Sequence, residues 1–279
     1  MKTFIANFIT QIKYFTGLRV IWISRIVYVF VSLLTSFTMG MVYKFNEATQ
    51  NLIGVQNVAI FVLTGFFLQF LMNASSGYTP AAVREMIQNG NLEYSVHCGA
   101  NIVQQILGIY IASYLFDFVI CLPFIVTLSL LTINTISVYA LLSFIGFLFI
   151  SGLCLFSIGF LFSSLYVLSK GFLGFHSVIA NIVYFICGVY FPIQGYLTLF
   201  GSVGGWIAIA IVSIFPYTYV FDLSRYMIFL GQNYQTFLPF GIELIIFICS
   251  SILIMLIAMQ LFKLGFKRMR KKGFISFIY

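Results

Sequence analysis

Two carboxylates, Asp117 and Glu243, lie inside long apolar runs of a chain that has only 6 acidic residues. An ionised carboxylate at the centre of a bilayer costs at least ~3 kcal/mol, so each must face a cavity, a partner helix or a polar interface. Facing a cavity, either one would line a translocation path or hold a proton. In a structural role it would instead form an ion pair or hydrogen bond, and Arg25 is a candidate counter-ion for Asp117. Other chemistry is sparse. His97 and His176 stand apart without paired ligands and read as boundary or packing residues. The five cysteines (Cys98, Cys121, Cys154, Cys187 and Cys249) are scattered, and no pair has metal-ligand spacing. No HExxH, serine-triad signature or Asp-rich prenyl site appears, so no catalytic residue and no metal is expected. The phosphate-binding pattern G-x-x-x-x-G-K-[ST] is absent, down to the Gly-Lys dipeptide, so ATP would have to be handled by another chain. Gly201, Gly204 and Gly205 lack a following lysine and read as a turn at a membrane surface.

The surroundings of these residues are set by composition. The chain has 279 residues, of which 62% are hydrophobic and 7% charged. A soluble domain carries roughly 25% charged residues, and exposing this much apolar area to water at ~25 cal/mol per Å² would cost tens of kcal/mol. Lipid is therefore the expected solvent for an all-α integral membrane protein. A spanning helix takes ~20 apolar residues, so several spans leave no room within these residues for a soluble catalytic domain. The net charge of +8 does not imply nucleic acid, because Lys263, Lys267, Arg268, Arg270, Lys271 and Lys272 crowd just after the last apolar run. That placement is a cytoplasmic membrane flank. No cleavable signal is expected, since the apolar stretches near residue 1 lead into a full span without a small-residue cleavage site.

Residues 2–17 place Phe4, Ile5, Phe8, Ile9, Ile12 and Phe15 on one helical face, opposite Lys2, Asn7, Gln11 and Tyr14. This is the pattern of an amphipathic helix in the membrane interface, with an ordinary packed helix as the alternative. Spans are expected at 25–43, 52–73, 102–133, 138–168, 175–191 and 237–262. The third is long enough to tilt or protrude, with Pro123 as a kink. Residues 193–236 hold a short apolar stretch interrupted by Pro216, and they fit a dip into the outer leaflet and back. Basic residues flank both ends, which places both termini in the cytoplasm and requires an even number of crossings. Six crossings leave Arg84 and Lys170 inside, with Lys44 and Arg225 outside. No repeat or interdomain linker is present, so 1–279 is one membrane domain: an interfacial element 1–24, a polar insert 79–98, an outer segment 193–236 and a basic tail 263–279.

The polar insert lies between spans two and three. Thr79 is expected to cap a helix whose first residue is Pro80. Val83, Met86 and Ile87 form its apolar face, with Arg84, Glu85 and Gln88 on other sides. Gly90 ends it and Asn91 caps a second short piece holding Leu92, Glu93, Tyr94 and Val96. A passive connection between adjacent spans usually needs only a few residues. The two-faced insert therefore reads as a docking element, with a solvated loop as the alternative.

The stretch REMIQNGNLEY, Arg84 to Tyr94, resembles the cytoplasmic segment of ABC transporter permeases of the type-2 exporter family. Glu85, Gly90, Leu92 and Glu93 match that pattern, Asn91 replaces its usual threonine, and its later proline is missing near Cys98 and Gly99. FPYTYVFDLSRY, Phe215 to Tyr226, is similar to the family's outer segment before the final span, and Phe191 with Pro192 also fits. The resemblance covers essentially the whole chain. It implies that Arg84, Glu85, Met86, Ile87, Gly90, Leu92 and Glu93 form a coupling helix seated in a separate ATPase subunit. It also implies that Pro192, Pro216, Tyr217 and Arg225 belong to re-entrant helices on the outer side. Two permeases, identical or related, and two ATPases would make a cell-membrane exporter, with ATP and Mg²⁺ bound by the ATPases and none by this chain. The substrate would be amphipathic or lipid-like: a drug, antimicrobial peptide, lipid or glycan. An ATP-independent secondary transporter or channel remains the alternative, and a lipid-acting membrane enzyme would need a clustered catalytic set that the sequence lacks.

Overall fold

The computed structural model describes residues 2–44, 58–123, 137–169, 172–229 and 234–272, and among them there is helix but no β-strand. Helix α1 (Lys2–Gly17) and α2 (Arg19–Lys44) open the chain, with a bend of 77° between Thr3–Gly17 and Trp22–Val31. The apolar face of α1 divides in two. Phe15 is buried and stacks on Phe116 at 4.5 Å, whereas Ile5 and Ile9 remain exposed. The helix thus packs on the third span while offering a second apolar edge to its surroundings.

Helix α3 (Val58–Asn73) passes through a single π turn, Ala74–Tyr78, directly into α4 (Thr79–Gln88). The expected cap at Thr79 is therefore corrected. Thr79 is itself helical (φ −65°, ψ −49°), and its backbone N–H and hydroxyl both donate to the Ala74 carbonyl. The cause is Pro80, which has no N–H to give and whose ring crowds the carbonyl four residues back. A wider π turn accommodates both without stopping the helix. The resulting helix, Ile60–Gln88, is 29 residues long and 78% buried along its apolar window, which makes it the central rod of the fold.

Helix α5 (Asn91–His97) follows, then α6 (Ile102–Ile120), capped by the Asn101 side chain, which accepts from Gln104 N–H at 3.2 Å. Of the long third span expected over 102–133, the described part is helical to Ile120. The chain turns at Cys121, two residues ahead of Pro123, and 124–133 lie outside the described residues. Helix α7 (Val138–Leu168) matches the expected fourth span, with Ser137 as its cap.

Helix α8 (Phe172–Ile186) has 15 residues, fewer than the ~20 a perpendicular span needs. It gives way at Gly188 (φ 96°), where Arg225 draws the Gly188 and Val189 carbonyls out of the helical ladder. Helix α9 (Gly195–Val212) is broken at Gly201 (φ 71°, ψ −179°), a conformation open to glycine and strained for other residues. A Cβ on Gly205 would lie 2.6 Å from Leu197 Cα, so the two arms fold back against each other. Helices α10 (Pro216–Ile228) and α11 (Phe240–Lys272) are the last among the described residues, and α11 carries the expected sixth span on through the basic flank to Lys272.

Among the described residues, five helical stretches are long and apolar enough by length and composition to cross a membrane: Ile60–Gln88, Ile102–Ile120, Val138–Leu168, Gly195–Val212 and Phe240–Met269, of which Gly195–Val212 reaches that length only across the break at Gly201. The chain is an all-helical, multi-pass membrane protein in its length and apolarity pattern. Packing pairs α7 with α11, α2 with α3 and α1 with α6, while the π turn and α4 lie against α7.

Candidate functional site

The polar hairpin after the central rod is built by two local devices. Gly90 adopts the left-handed conformation (φ 70°, ψ 0°), which ends α4 and redirects the chain into α5 at almost no steric cost. Asn91 is the first residue of α5 and not its cap, because Gly90 occupies that position. The Gln105 side-chain amide donates to Ser95 Oγ at 3.0 Å, tying α5 to the start of α6. The hairpin is thereby held at both ends.

Burial divides the seven docking candidates. Ile87 (5% exposed) and Leu92 (1% exposed) point into the protein with Val83, and they anchor the hairpin without being able to touch a partner. Met86, Gly90 and Glu93 are half-buried, while Arg84 and Glu85 are exposed. Tyr94 is 71% exposed, a large aromatic group at the outer face that the site reading passed over. Its place in the motif was visible, but whether it faces inward or outward depends on how α5 is turned by Gly90. Glu93 and His97 pair across one turn at 3.8 Å. Hydrogen bonding with Cys98 raises the Tyr94 phenol above its ordinary pKa. A surface with a cation, an anion and an exposed tyrosine has the makings of a protein-docking patch, in which aromatic and arginine side chains dominate binding.

The two intramembrane carboxylates are not brought together. Asp117 on α6 is fully buried and forms an ion pair with Arg25 of α2. The guanidinium also lies 4.0 Å from the centroid of Tyr78 in the π turn. This pair joins three elements. An adjoining cavity of about 380 Å³, bounded by Gln11, Ser24, Tyr78 and Glu85, opens between α1, α2 and α4. Glu243 sits in the first turn of α11, fully buried, and interacts with Asp222 of α10. Asp222 accepts hydrogen bonds from the Tyr234 hydroxyl and from Phe237 N–H at 3.0 Å, which ties α10 to the chain entering α11.

The outer-segment candidates form a buried network around the same rod. Pro192 is buried in the turn after α8, and Pro216 is the first residue of α10. Arg225, 1% exposed, donates to the Gly188 and Val189 carbonyls and lies 3.7 Å from the Phe61 ring centroid. Gly65 leaves room for it, since a Cβ there would meet Val189 O at 2.1 Å and Arg225 Nη2 at 2.7 Å. Tyr217 shares a hydrogen bond with Ser75, and Tyr184 of α8 shares one with Ser76. Both serines belong to the π turn. The sequence reading missed this hydroxyl set, because serine and tyrosine 142 positions apart carry no local sign of contact.

Among the described residues no group of His, Cys, Asp and Glu side chains is placed to hold a metal ion. No family model matches this chain, and neither does any curated protein.

Proposed function

We propose that this chain is the membrane-spanning permease subunit of an ATP-binding cassette exporter. The supporting observation is the continuity of the central rod. An exposed, polar hairpin bearing Arg84, Glu85 and Tyr94 extends the most buried span without an intervening loop. A push on α4 is therefore a push on α3, and the π turn passes it to α8 and α10 through the Ser76–Tyr184 and Ser75–Tyr217 contacts. A permease driven by a separate motor needs such a handle, because only differential contact with the motor's two states can shift its own equilibrium.

In this reading the hairpin is a cytoplasmic coupling helix seated on an ATPase that binds ATP and Mg²⁺. Six crossings put both termini in the cytoplasm, and a second permease copy completes the path for an amphipathic or lipid-like substrate. The fold-back at Gly201 supports a re-entrant outer segment. Its longer arm, residues 202–212, extends only ~16 Å at ~1.5 Å per residue, short of a ~30 Å hydrocarbon core. A pathway role for Asp117 in an ATP-independent transporter loses support, because Arg25 already neutralises it.

The test is purification of the full chain from its native membrane in mild detergent, followed by assay for a co-purifying ATPase. The expected result is a stable complex whose ATP hydrolysis responds to the permease, with Glu93→Lys uncoupling hydrolysis from transport. Transport by this chain alone in proteoliposomes would overturn the reading.

A further inference from the structure

A cleft of about 510 Å³ opens between the start of α6 and the late turns of α11. One wall is Val96, Gly99, Ala100, Ile102 and Val103; the other is Phe262, Lys263, Phe266 and Lys267. No acidic residue lines it. Lys263 and Lys267 are both exposed and stand one turn apart, so their charges repel. The ion pairs formed among the described residues are Arg25–Asp117 and Glu93–His97, and neither involves these lysines. The opposite wall adds positive potential. Ile102 and Val103 are the first two residues of α6, where backbone N–H groups lack helical partners, and the Asn101 side chain accepts from Gln104 instead. The cleft thus concentrates cationic groups with no internal counter-charge.

Its apolar side has a direction. Residues 253, 256, 260, 263 and 267 recur at helical spacing along one face of α11. Leu253 and Leu256 are 60% and 54% exposed, followed by exposed Gln260 and then the two lysines. An apolar rail ending in a cationic, Phe-lined notch matches one kind of molecule: alkyl chains along the rail and an anionic headgroup in the notch. The apolar run of the last span stops at Phe262, which puts the notch at headgroup level. A lone lysine at a span's end merely reaches for water, but here a second element closes the site.

We infer that this cleft binds one anionic phospholipid of the bilayer, with the phosphate held by Lys263 and Lys267 and the chains lying along Leu253 and Leu256. The lipid would wedge the base of the polar hairpin against α11. The site stands independently of the exporter reading, since binding can be measured without any ATPase.

Native mass spectrometry of the purified full chain tests it, with phosphatidylglycerol and phosphatidylcholine added in turn. Wild type should retain a single phosphatidylglycerol about thirtyfold more tightly than phosphatidylcholine, the scale expected for two lysines at the membrane surface. The double substitution Lys263→Gln, Lys267→Gln should erase that preference. Lys13→Gln with Arg268→Gln removes the same charge from outside the cleft and should retain most of it. Val103→Trp keeps every charge but fills the notch, and should also lose the bound lipid. Elution as a single species establishes folding for each variant. Equal losses in both charge variants, or wild-type binding by Val103→Trp, would overturn the inference. So would unchanged lipid retention in the cleft variant accompanied by loss of a co-purifying acidic protein.

Discussion

The Tyr217 hydroxyl at the start of α10 lies 2.9 Å from the hydroxyl of Ser75 in the π turn of the central rod. Ser75 also donates to the Met72 carbonyl at 2.7 Å, so losing Tyr217's hydroxyl strands no group completely. Tyr217→Phe should therefore cost only about 1 kcal/mol, a drop of roughly 2–4 °C in melting midpoint. If the contact transmits motion, the same variant should weaken the coupling of ATP hydrolysis to transport by more than its small thermal loss implies. Paired melting and coupling measurements check this, and parallel losses would reduce the contact to packing.

Removing one member of the Arg25–Asp117 pair leaves a buried charge alone. Asp117→Leu and Arg25→Met should each destabilise by about 3–5 kcal/mol, whereas the two together should recover most of that loss. Thermal melting of the four purified proteins gives the cycle. A folded double variant that still transports would assign Asp117 to structure; one that folds but has lost transport would return it to the pathway.

The hairpin should separate into anchors and contacts. Ile87→Ala and Leu92→Ala remove buried side chains and should cost about 2–5 kcal/mol of stability. Tyr94→Ala and Arg84→Glu alter exposed side chains and should shift stability by no more than about 0.5 kcal/mol. They should nevertheless weaken ATPase binding at least about tenfold if this surface is a docking patch. Melting and pull-down with the ATPase, measured on the same preparations, would reveal the crossover.

Pro80→Ala restores a backbone donor beside the π turn. The expected outcome is a more regular ladder with greater amide protection over residues 74–80, read by hydrogen–deuterium exchange. Removing the extra residue from the turn would also rotate α4 by about 100° relative to α3, moving Arg84 and Glu85 away from their present face. Unchanged exchange would mean that packing against α7, and not the proline, maintains the π turn.

The sequence made some of this architecture legible because the signals were local. Gly90 marks a left-handed stop, and a nearby apolar triplet marks the buried face of α4. The Arg25–Asp117 pair was foreseeable because so few charges lie in the apolar runs. The π turn was not, since Thr79-Pro80 is also the ordinary signature of a fresh helix start. Only the tertiary packing that keeps the helix continuous distinguishes the two. The fifth span reads as short in the sequence too, but its end was expected at 191 and not at Ile186, because that end is set by Arg225, 37 residues beyond Gly188. The Asp222–Glu243 contact joins residues separated by a long connection, and alternating apolar residues cannot encode it.

The π turn that meets Tyr217 is sealed off from its surroundings: Ala74, Ser75 and Ser76 are all buried, so no solvent reaches them to repair a disturbed ladder. Its own hydroxyls supply that repair: Thr79 donates to Ala74 O, and Ser75 and Ser76 to Met72 O. The turn is internally insulated, so it can persist as a fixed irregularity where an ordinary helix defect would have to be wetted.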